Sequence, residues 1–80
     1  MRVAMAGNTL APASAALRQQ GYAVERHPQL PGWLVARKGE DAFLAESPVE
    51  LLGLIAMVQL RGERWEASDQ ELADYLQRLD

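Results

Sequence analysis

The chain is 80 residues long, contains no cysteine and carries a formal net charge of −3. So short a chain buries only a little over ~60% of the surface its unfolded form exposes, which leaves little room for a deep catalytic cavity beside a core. Hydrophobic and charged fractions of 49% and 24% exclude a disordered chain, and the missing cysteines exclude disulfide staples and thiol chemistry.

Val3 to Ala6 reads as a short strand, with Val3 and Met5 on one face and Ala4 and Ala6 on the other. Gly7-Asn8-Thr9 is a turn, and a helix follows from Leu10 to Gln20 with Thr9 as N-cap and Pro12 in the first turn. The same residues break the apolar run that follows Arg2, so the start does not read as a signal peptide. Gly21 sits where a left-handed residue ends a helix, and Tyr22 to His27 is the second strand. Strand, helix and strand in quick order predict a right-handed crossover with the two strands parallel.

Pro28 and Pro31-Gly32 mark a loop. Trp33–Lys38 and Asp41–Glu46 then read as a hairpin turning at Gly39-Glu40. Adjacent apolar residues in both arms, Leu34-Val35 and Phe43-Leu44, predict cover on both faces. Ser47-Pro48-Val49-Glu50 is a helix-start signal, and the helix runs to Arg61 before Gly62. Val49, Leu51, Leu52, Leu54, Ile55, Met57, Val58 and Leu60 make it the dominant source of burial, at ~1.5–3 kcal/mol for each side chain fully hidden. Its longest apolar run, Leu51 to Val58, is too short to span a bilayer. Ser68-Asp69-Gln70-Glu71 opens a last helix to Leu79, with Leu72, Tyr75, Leu76 and Leu79 on the side expected to be buried. The expected architecture is a single α+β domain over residues 1–80. Its two layers are a four-stranded mixed sheet and three helices, in the order β-α-β-β-β-α-α.

No catalytic constellation emerges. His27 is the lone histidine, which rules out a multi-histidine metal site and argues against a catalytic triad, since Ser47 and Ser68 are helix caps. The carboxylates from Glu63 to Asp74 do not follow a Ca²⁺-loop pattern, so neither a metal nor a cofactor is expected. Acidity, with a pI near 5.0, and few aromatics argue against nucleic acid, although Arg2, Arg26, Arg37 and Lys38 could share a sheet with Trp33 and Tyr22. The charges are uneven: residues 1–38 hold five cations against Glu25, and residues 39–80 hold ten carboxylates against three arginines.

Two functional readings remain. The first is a cytosolic protein-interaction or self-association module, a homodimer in its simplest form. It would use the hairpin face with Trp33, Val35 and Leu44, and the sector of the core helix around Met57. The alternative is a small anion or nucleotide-phosphate binder at Gly7, Asn8 and Thr9, where helix N–H groups point outward. That opening is similar in outline to phosphate-cradling βαβ units over the first quarter of the chain, but it has one glycine and no lysine.

Overall fold

The computed structural model describes residues 1–79. Its elements run α1 (Leu10–Gln19), β1 (Ala23–Arg26), β2 (Leu34–Lys38), β3 (Asp41–Ala45), α2 (Pro48–Arg61) and α3 (Asp69–Arg78). The sheet is three-stranded and antiparallel throughout, in the order β1-β2-β3. This corrects the expected four-stranded mixed sheet and its β-α-β-β-β-α-α order. Val3 to Ala6 forms no strand and stays exposed, with Val3 and Met5 at 83% and 76%. The energetics account for it. Fixing four residues costs ~4–8 kcal/mol of backbone entropy, and hiding Val3 and Met5 would return ~3–6 kcal/mol, which leaves no clear surplus to hold a strand. Ala4 and Ala6 add little, so no parallel crossover forms.

α1 buries Ala13 and Leu17 and ends in a Schellman arrangement. Gly21 N–H donates to Arg18 O at 2.9 Å and Tyr22 N–H to Leu17 O at 3.0 Å. Gly21 has a φ of 93°, a conformation that side chains oppose, and the chain turns there directly into β1. Lys38 lies against this corner: its ammonium donates to Gln20 O at 2.7 Å and stands 5.4 Å from the centre of the Tyr22 ring.

The register divides the sheet into two faces. Val24, Ala36 and Phe43 form one cross-strand row, with Leu34 and Ala45 beside them. These residues meet Leu17, Tyr22, Leu51 and Ile55 in the core, and Tyr22 packs edge-on to Phe43 at 6.0 Å. α1 lies on β1, while α2 lies on β3 and α1, so the helical layer covers this face. The opposite face carries Glu25, Val35 and Leu44 in one row and Ala23, Arg37 and Ala42 in the next. Among the described residues, no helix packs there. The helices cover one face of the hairpin; on the other, Val35 is buried at 1% exposure while Leu44 stays 37% exposed.

α2 starts as its sequence predicts. Ser47 Oγ accepts from Glu50 N–H at 3.1 Å, Pro48 takes the first helical position, and Gly62 ends the helix. Leu51 and Ile55, one turn apart, are fully buried, and Leu52, Leu54 and Val58 are half-buried. The outward side is apolar as well: Gly53 and Ala56 are exposed there, with Met57 at 40% and Leu60 at 86%. The helix therefore hides about half of its apolar girth.

α3 departs furthest from expectation. Its capping box is complete, with Glu71 N–H donating to Ser68 Oγ at 3.1 Å and Ser68 N–H to Glu71 Oε1 at 2.9 Å. Yet none of its residues is buried. The helix is well started and poorly docked.

Candidate functional site

The turn Gly7-Asn8-Thr9 lies in the exposed N-terminal segment. Thr9 is the N-cap of α1 by position, but its hydroxyl makes no capping bond, and nothing approaches within 4 Å of a Cβ built on Gly7. With no strand ahead of it, the turn lacks the rigid strand–turn–helix frame that holds a phosphate in dinucleotide-binding units. The three residues remain neighbours in sequence, and no other element converges on them to form a pocket among the described residues.

The interface residues fall in separate places. Val35 and Leu44 come together on the outer face of the sheet, where Val35 lies between Leu44 and Glu25 in the register, whereas Trp33 precedes β2 and lines a groove with Leu10, Leu34 and Pro48. Val35 is 1% exposed despite the absence of a covering helix, whereas Trp33 and Leu44 are each 37% exposed. Glu25 and Arg37 approach to 3.6 Å on the same face, a solvent-exposed ion pair of small energetic weight. The result is a modest apolar centre with a polar rim. Met57 belongs to the outward side of α2, in the other layer.

A groove of about 470 Å³ opens where β1 ends and α2 begins, lined by Arg26, His27, Trp33, Leu34 and Ser47 among others. His27 Nδ1 accepts from the backbone N–H groups of Gln29 at 3.1 Å and Leu30 at 3.0 Å. That leaves Nε2 as the ring's donor and ties the imidazole to the loop, a structural task. Among the described residues, no group of three or more His, Asp or Glu side chains could hold a metal ion, and no helix is long and apolar enough to cross a membrane.

A further bare apolar surface was not among the candidate residues. Leu72, Tyr75, Leu76 and Leu79 of α3 are 52%, 56%, 51% and 76% exposed. The helix is anchored through its first turn, where Arg61 at the end of α2 makes a two-pronged bond to Glu71 with N–O distances of 2.5 and 2.6 Å. Arg61 also donates to Glu66 O at 3.2 Å, which pins the intervening loop. Hydrogen bonds from Arg61 and then from Ser68 N–H hold the Glu71 carboxyl down at about 2, and the Glu71 carboxylate raises Arg61. Trp65 lines a shallow cleft with Phe43, Leu54 and Val58.

Two global quantities express the same looseness. The accessible surface is 6696 Å², where a folded monomer of 8.8 kDa exposes roughly 4,800 Å². The radius of gyration is 14.5 Å, against ~12 Å for a compact domain of this length. Residues 1–8 are exposed throughout, and α3 and the outward side of α2 also carry exposed residues. No known protein family, curated protein or solved structure matches the chain.

Proposed function

We propose that this chain is a cytosolic protein-interaction module that acts by self-association. One observation carries the reading: the surplus of exposed surface over that of a folded monomer of the same mass. The surplus is apolar at Leu60, Leu72, Tyr75, Leu76 and Leu79, a concentration beyond the scattered hydrophobic residues of ordinary monomers. A stable interface removes ~800 Å² from each partner, which the surplus can supply. Trp33, Leu44 and Met57 offer further contact area, and Val35 supports the centre of the sheet face from within. The absence of cysteine favours a reducing compartment. A binding role is favoured over an enzymatic one because the single histidine is tied to its own loop and two of the serines cap helices.

The test is dilution. Amide chemical shifts of the full chain, recorded from hundreds of micromolar downward, should move at residues on the bare apolar surfaces and stay constant in the Leu51–Ile55 core. Shifts that are constant everywhere across that range would refute self-association.

A further inference from the structure

α3 is an amphipathic helix whose apolar stripe lacks a partner and whose two ends differ in charge. Asp69 and Glu71 occupy its first turn and Arg78 its last. Arg78 has no ion-pair partner among the described residues. We infer that the stripe is covered by α3 of a second copy of this chain, the two helices packing antiparallel about a two-fold axis. The inference rests on the self-association reading and assigns it a surface and an orientation.

Helical geometry makes α3 complementary to itself when turned end for end. Glu71 and Arg78 lie two turns apart on the same flank of the stripe. In an antiparallel pair, each Glu71 faces Arg78 of the second copy, Leu72 meets Leu79, and Tyr75 meets Leu76. Glu71 accepts two bonds from Arg61 and one from Ser68, which leaves its carboxylate a further lone pair for a second guanidinium. A parallel pair would set the acidic first turns side by side, with the helix dipoles aligned. Antiparallel packing instead places each acidic, dipole-positive start beside the basic end of its mate.

The anchoring of α3 extends the surface. The Arg61–Glu71 bond brings the end of α2, with Leu60 86% exposed, to the root of the stripe. Each end of the helix pair therefore adjoins a bare Leu60. This matters because a helix of ten residues is too short to bury ~800 Å² alone. A two-fold pair is also closed: every copy of the patch is used once, and no fibre grows from it. The outer sheet face is the weaker candidate, since its central Val35 is already buried and an ion pair borders it.

The chain has no cysteine, so single thiols can report the orientation. Full-length Leu72→Cys and Leu79→Cys proteins, one carrying a mass tag, are mixed and mildly oxidised, and the wild-type mass is measured by light scattering. The expected product is predominantly the mixed disulfide, because those positions face each other only in the antiparallel pair. Adding Leu76→Glu to both chains should cut its yield about tenfold, the effect of losing ~1.4 kcal/mol of association. Circular dichroism of that variant should keep the wild-type helix content. Predominant homodisulfides, or a mixed yield unmoved by Leu76→Glu, would overturn the inference. If the wild type nevertheless scatters as a dimer, self-association stands and its interface lies elsewhere. A wild type that scatters as a monomer at hundreds of micromolar refutes both.

Discussion

Glu71 joins the start of α3 to the end of α2 through one exposed side chain. Its carboxylate completes the α3 capping box and takes both prongs of Arg61, so one residue starts a helix and tethers it. The carboxyl is held down at about 2, so its stabilising bonds are complete above the ordinary carboxylate range and are lost as pH falls through about 2. A carboxyl-carbon NMR titration of the wild type should place its midpoint near 2, and Arg61→Gln should move the midpoint up toward the ordinary value. A wild-type midpoint near 4.5 would show that the tether does not persist in solution. Gly53 offers a second test at this scale. It lies mid-helix with open space where a Cβ would go, so Gly53→Ala should raise unfolding free energy by ~0.5–1 kcal/mol in denaturant titration. A loss of stability would mean that something already occupies that space.

The elements divide into those that local signals determine and those that depend on tertiary contacts. Ser47-Pro48 and Ser68 through Glu71 are start signals that act within one turn, and both helices begin where those residues direct. The Gly39-Glu40 turn and the hairpin it closes were equally legible, because a positive φ of 60° at Gly39 suits a two-residue connection. Val3 to Ala6 has the alternation of a strand, but a strand exists only if a neighbour pairs with it, and four residues cannot encode that neighbour. The stripe of α3 was legible as amphipathic for the same local reason, while its lack of an intramolecular partner was not. The placement of the candidate residues was legible in part: Val35 and Leu44 are cross-strand neighbours, while Trp33 lines a groove and the bare stripe of α3 was assigned to the core. Two measurements follow. Leu51→Ala should cost ~2–5 kcal/mol in chemical denaturation, since Leu51 is wholly buried among Leu17, Ala36 and Ile55. Ser68→Ala should cost α3 ~1 kcal/mol, seen as faster amide exchange over residues 72–78 with the amides of 51–58 unchanged.

At the scale of the whole molecule, a small core sits between one face of a three-stranded sheet and two helices, with a third helix outside it. Among the described residues, eight hydrophobic ones are buried, whereas thirteen large ones are exposed, an imbalance that runs from Met1 to Leu79. A short chain can hold such a balance if part of its apolar surface belongs to an assembly, because burial between copies adds to the stability of each. Sedimentation equilibrium of the full chain, from low micromolar to several hundred micromolar, tests that most directly. The account predicts a mass that rises with concentration from 8.8 kDa toward twice that value. A mass fixed at 8.8 kDa over the whole range would contradict it.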